Sequence, residues 1–144
     1  LAAHADAQGG QALALPIGME LELAEMDPAE AAELAAELEL GESRGADAVV
    51  AAGYRLLDLV TFFTGSGPPE ARAWPVRRGT TASEAAGRIH SDLERGFIRA
   101  EVIPWDALVA AGSFARAREE ALLRMEGRDY VVQEGDVLQI RFNV

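Results

Sequence analysis

Cysteine and lysine are both absent from this 144-residue chain. Without cysteine there is no disulfide, no thiolate metal site and no cysteine nucleophile, and the redox compartment stays undecided. Without lysine every strong cation is an arginine, which reads as coding bias, and no lysine can reach a nucleotide phosphate. No apolar run reaches eighteen residues, so no helical membrane span is expected. The two histidines, His4 and His90, lie far apart, and no two-histidine metal site is expected. The chain opens on Leu1 with no basic segment before an apolar one. We expect an internal start within a longer protein, no signal peptide and a cytoplasmic setting.

Positive charge is scarce too, with a formal net charge of −11. Residues 1–58 hold 12 acids against two arginines, and residues 59–144 hold 12 acids against 11 arginines. Within 72–99 six arginines face three acids, a local +3. An acidic front half thus precedes a nearly neutral back half with one basic stretch. The apolar content is 49%, enough for a packed core. The length suits one ordinary domain, or a small domain with an appendage.

Along the chain, residues 1–11 are small and polar, with a breaker at Gly9-Gly10. Ala12–Ile17 is a short apolar run that fits a buried strand. Asp27-Pro28-Ala29-Glu30 predicts a capped helix start, with Gly41 as its stop. A second helix over Ala46–Leu57 would carry Val49, Val50, Gly53, Leu56 and Leu57 on its apolar side, and the two helices read as a hairpin. From Leu59 the period changes. Leu59–Thr64 and Ala71–Val76 read as strands joined by a Gly65–Pro69 turn, with Pro75 at a bulge or at an N–H position facing away from any neighbour. Thr81-Ala82-Ser83-Glu84 is a capping box, and its helix carries Ala82, Ala85, Ala86 and Ile89 on one face. Gly96 ends that element. Phe97–Ile103 alternates, with Ile98, Ala100 and Val102 facing one way. Trp105–Ala111 and Phe114–Leu123 read as short helices broken at Gly112. Glu126–Asp129 is a turn, Tyr130–Val132 a short strand, Glu134–Asp136 a turn, and Val137–Val144 a final strand. Hairpin, helix, strand, short helices and two strands make an α+β unit with one helix across a mixed sheet, the β-grasp or ubiquitin-like arrangement.

Several stretches carry a resemblance. Phe62-Phe63-Thr64, Arg72-Ala73-Trp74, Arg78-Gly79-Thr80-Thr81-Ala82 and Ala85-Ala86-Gly87-Arg88-Ile89-His90-Ser91-Asp92 come first. Glu94 to Val102, Glu126 to Val132 and Arg141-Phe142-Asn143-Val144 follow in order, so that nearly all of 59–144 is covered. This series resembles the C-terminal end of YchF-type, Obg-like P-loop ATPases. Ile89-His90-Ser91-Asp92 and Gly135-Asp136-Val137 also resemble the wider TGS group of threonyl-tRNA synthetases, OBG-type GTPases and SpoT-like enzymes. Upstream, Met19 to Asp27 resembles the segment leaving the family's nucleotide-binding domain. Pro16-Ile17-Gly18 departs from the Ser-Ala-type loop that relatives carry near the base.

The resemblance implies a remnant of the nucleotide-binding domain over 1–18, a helical connector over 19–58 and a β-grasp TGS domain over 59–144. It implies that ATP or GTP with Mg binds in a P-loop domain of the longer protein, with no cofactor in this chain. No G-x-x-x-x-G-K-[S/T] occurs here, so this chain is not expected to be an enzyme. The partners implied are the ribosome or RNA, or the P-loop domain of the same protein, whose hydrolysis this part would regulate. A monomer is expected.

The six arginines Arg72, Arg77, Arg78, Arg88, Arg95 and Arg99 are the candidate nucleic-acid contacts, since clustered guanidinium groups suit phosphates. Surface ion pairing is the competing reading. Trp74, Phe97 and Tyr130 are candidate stacking residues, with core packing as the competing role. His90 reads as a helix-terminal residue paired with Asp92. Asp92, Glu101 and Asp106 read as scattered surface carboxylates rather than an acid–base set.

Overall fold

The computed structural model describes residues 1–40, 45–65 and 70–143. The predicted stop at Gly41, positions 66–69 of the predicted turn, and Val144 lie outside the described residues. The chain divides into two compact units, Leu1–Leu57 and Asp58–Val144.

The first unit is helical: α1 Ala2–Ala7, α2 Ile17–Glu25, α3 Pro28–Glu37 and α4 Gly45–Leu56. Asp27 caps α3, its Oδ1 accepting the Ala29 N–H at 2.9 Å, and Pro28 occupies the first helical position, where an N–H has no intrahelical partner. The run Ala12–Ile17 is not a strand. It is irregular up to Pro16, Ile17 starts α2, and Leu13 and Ile17 are exposed. A lone strand leaves its ladder groups unpaired, and the described residues of this unit hold no strand to pair with it. Helix α2 packs on α3, and Gly45 at the start of α4 lies beside Glu20 of α2, while the link of the expected α3–α4 hairpin, residues 41–44, lies outside the described residues. The expected apolar side of α4 is exposed at Val49, Val50, Leu56 and Leu57, and Ala48 is the position that buries.

The second unit opens with the hairpin β1 Leu59–Gly65 and β2 Ala71–Arg77. Thr61 turns its backbone away from β2: its N–H donates to Glu134 and its carbonyl accepts from Gly135. Its register partner Pro75 therefore points its ring nitrogen outward, and β2 lies at the sheet edge, so no ladder bond is lost. Next come α5 Ala82–Ile89 and α6 Ser91–Arg95, then β3 Phe97–Pro104, α7 Trp105–Ala111, α8 Phe114–Glu119, β4 Arg124–Glu126 and β5 Asp136–Phe142. The strand order is β2-β1-β5-β3-β4, with β1 parallel to β5 and the other pairs antiparallel. A single main helix across this mixed sheet is the β-grasp fold.

Helix α5 starts on the predicted capping box: Thr81 Oγ1 accepts the Glu84 N–H and the Glu84 carboxylate accepts the Thr81 N–H at 2.8 Å. Its Ala82, Ala85 and Ala86 are fully buried, and these small side chains let the helix lie close on Val60, Phe62, Val102 and Leu138. On the opposite face α7 and α8 cover Ile103 and Val137. Gly112 separates the two short helices with φ 77°, a left-handed stop.

Three expectations change here. Ile98 is exposed and does not share a face with Ala100 and Val102, because the β3–β5 register shifts between Phe97 and Arg99. That bulge makes Ile98 the extra residue and puts Phe97 in the core with Ala100 and Val102. Tyr130–Val132 makes a single bridge, Thr81 to Val131, instead of a strand. The segment around it satisfies the open end of α5: the N–H groups of Ala82 and Ser83 donate to Tyr130 and Arg128 carbonyls. The helix from Phe114 ends at Glu119, with Ala121 at φ 55°, and the chain becomes β4 against β3.

Candidate nucleic-acid interface

The fold sorts the six arginines into three groups. Arg72, Arg78 and Arg95 are engaged by carboxylates. Arg72 meets Glu70 at 3.2 Å, Arg78 Nε meets Asp58 at 3.0 Å, and Arg95 pairs with Asp92 one turn earlier on α6. All are solvent-exposed pairs, which hold geometry weakly. Arg77 and Arg88 form the second group. Arg77 ends β2 and Arg88 sits in the last turn of α5, and they line one groove of about 440 Å³ with Leu59, Pro75, Val76, Thr80 and Glu84. Among the described residues neither guanidinium has a carboxylate within ion-pair distance. Glu84 is turned to its own cap, and the Thr81 backbone and hydroxyl bonds hold its carboxyl below the usual value. Arg99 stands apart on β3, exposed, directly opposite Arg141 of β5.

The aromatic candidates sit within the packing of this unit. Trp74 stacks on Phe62 with ring centroids 6.4 Å apart, and its Nε1 donates to Thr64 Oγ1 at 2.9 Å. Phe97 is only 6% exposed, under the Arg128 guanidinium. Tyr130 donates its hydroxyl to buried Asp136 at 2.8 Å and accepts from Arg124. Burial first, and the Asp136 bond after it, raise the Tyr130 hydroxyl pKa, so the ring keeps its proton and its place. His90 lies between α5 and α6, where its Nδ1 accepts the Asp92 N–H at 3.2 Å.

Sequence reasoning missed the most organised charged group. Glu101 is not a surface carboxylate: it is 4% exposed. Arg118 of α8 donates to its Oε2 at 2.6 Å, and Arg141 of β5 donates to its Oε1 through Nε and Nη2, each at 3.3 Å. Burial pushes the Glu101 carboxyl up, but the Arg118 bond and the two positive charges outweigh it, leaving it below the ordinary value. The partners lie 17 and 40 residues away in the chain, so no local spacing could reveal them.

With this geometry in hand, comparison with known proteins is decisive. The family model YchF-GTPase_C, a protein of unknown function (DUF933), matches residues 59–143. The ribosome-binding ATPase YchF of Bacillus subtilis is 44% identical over 141 residues, 98% of this chain. The chain belongs to the YchF family. The Obg-like ATPase 1 of Oryza sativa subsp. japonica is 43% identical over 122 residues, covering 85% of this chain and 30% of the relative. The structure of the Schizosaccharomyces pombe YchF GTPase superposes with a TM-score of 0.74 at 28% identity, covering 92% of this chain and 34% of that one. The second unit is therefore the YchF C-terminal, TGS-like domain. The chain spans 38% of the length of its Bacillus subtilis YchF relative.

Proposed function

We propose that this chain is the non-catalytic, ribosome-docking part of a longer YchF-type ATPase, and that its TGS-like unit contacts RNA through arginines. The observation that carries this reading is the meeting of Arg77 and Arg88 in one groove without a carboxylate partner among the described residues. Unneutralised guanidinium groups on two rigid elements suit a phosphate. The relatives named as ribosome-binding ATPases support the choice of partner. Nucleotide hydrolysis belongs to the rest of the longer protein: with no lysine and no phosphate-binding glycine motif, these residues do not fit an ATP–Mg cradle. Titration of the chain with purified ribosomes at about 50 and about 200 mM salt tests the reading. Binding that weakens with salt and drops in an Arg77→Ala, Arg88→Ala double variant is expected. No binding at the lower salt would end it.

A second reading is that this part regulates the longer protein's nucleotide hydrolysis by packing on its P-loop domain. Its motive is the −11 net charge, which disfavours RNA, together with the exposed Val49, Val50 and Leu56 of α4. Hydrolysis rates of the longer protein with and without residues 59–144 decide it, and unchanged rates would remove it.

A further inference from the structure

Glu101 and the arginines around it are built at a cost that packing does not require. Removing a carboxylate from water is unfavourable, and an apolar side chain in its place is often at least as stable. Arg99 and Arg141 are also directly opposite on neighbouring strands, where like charges repel. The carboxylate holds two guanidinium groups from different elements in fixed positions, while their side chains stay 52% (Arg118) and 51% (Arg141) exposed. Arg118 uses one nitrogen on Glu101 and Arg141 uses two, so donors remain on both forks for a ligand. Arg99 adds a third cation with no carboxylate partner among the described residues. Arg118 and Arg141 border a groove of about 660 Å³, which Gln139 and the Arg72–Glu70 ion pair also line. Three arginines against one carboxylate leave a net positive site on the sheet face turned away from α5.

We propose that Arg99, Arg118 and Arg141, oriented by Glu101, bind a backbone phosphate of RNA. This rests on the ribosome-docking reading and gives it a second contact, across the sheet from the Arg77–Arg88 groove. Planar guanidinium forks match phosphate oxygens in pairs, and a buried carboxylate that fixes them removes part of the entropy lost on binding. Glu101 is then a positioning residue, which touches the arginines and not the ligand.

The test uses the full 144-residue chain, purified ribosomes and a labelled ribosomal RNA hairpin, with affinity measured across a salt series. Arg99→Ala leaves the Glu101 bonds intact. It is expected to weaken binding at every salt concentration and to lower the slope of log affinity against log salt by about 1. Glu101→Gln makes the site more positive by one charge and yet is expected to weaken binding, with its melting curve recorded to confirm folding. Arg141→Lys keeps the charge, loses the fork and is expected to weaken binding as well. Tighter binding by Glu101→Gln would overturn the positioning role. Unchanged binding by Arg99→Ala and Arg141→Lys, with Arg77→Ala, Arg88→Ala still impaired, would overturn this site while leaving the ribosome-docking reading intact. Absence of binding by the unaltered chain would remove both. Capture of a polyglutamate peptide lost in Arg99→Ala, with RNA affinity unchanged, would assign the site to an acidic protein and overturn the RNA assignment.

Discussion

At the residue scale the clearest contrast is between two buried side chains of opposite character. Phe62 has no exposed surface and lies under α5 beside Trp74. Truncation to alanine removes a full aromatic volume from a dense core. Phe62→Ala is expected to cost about 3–5 kcal/mol, read from urea unfolding of the second unit. Glu101 is buried as a charge, and its stabilisation depends on ionisation. Its pKa is lowered in the fold relative to the ordinary 4.5. The stability it contributes is therefore present above that ordinary value and is lost as pH falls through the depressed one. Wild-type melting temperature should drop more steeply than that of Glu101→Gln as pH is lowered from about 5 to about 3. Parallel curves would mean that Glu101 ionises alike in the folded and unfolded chain.

At the element scale α5 was legible because its signals are local. Thr81 and Glu84 are three residues apart, and both bonds of the box form. Thr81→Ala should cost about 1 kcal/mol by loss of the cap. The junction between α6 and β3 is a different case. Gly96 reads as a helix stop in sequence, but its deeper constraint is tertiary: a side chain there would run into the carbonyl of Asn143, whose own N–H donates to the Gly96 carbonyl at 2.9 Å. Gly96→Ala must push the end of β5 away from β3 and is expected to destabilise by about 1–3 kcal/mol, seen as a lowered unfolding midpoint. Gly135 is constrained in the same way, with φ +81° and the Trp105 indole 2.6 Å from where a Cβ would sit. The bulge at Ile98 had no local signature: alternation over Phe97–Ile103 is compatible with either register, and pairing with β5 chose one.

At the scale of the whole molecule the two units differ in how they are held. The described part of the first unit buries Leu23, Ala35 and Ala48 alone among its apolar residues, while the second builds a continuous core across four strands and α5. Amide hydrogen exchange should follow this, with the slowest amides in β1, β3 and β5 and faster exchange throughout α1–α4. Uniform protection across both units would contradict the assignment of the core. The arginine distribution belongs to this scale as well. A count over 72–99 treats six cations as one patch, but the fold separates Arg77 and Arg88 from Arg99 by a sheet and ties three others to carboxylates.

The residue order by itself determined the change of period at Leu59, the capped helix start at Thr81–Glu84, the β-grasp class and the family. Each depends on spacing within a few residues or on runs of matched motifs. Only the tertiary structure decided that Ala12–Ile17 is not a strand, that Phe97 rather than Ile98 enters the core, that Tyr130–Val132 closes the end of α5, and that Glu101 is buried between Arg118 and Arg141. Those outcomes are settled by which distant groups come to satisfy a backbone amide or a charge, and chain spacing holds no record of partners that folding alone brings together.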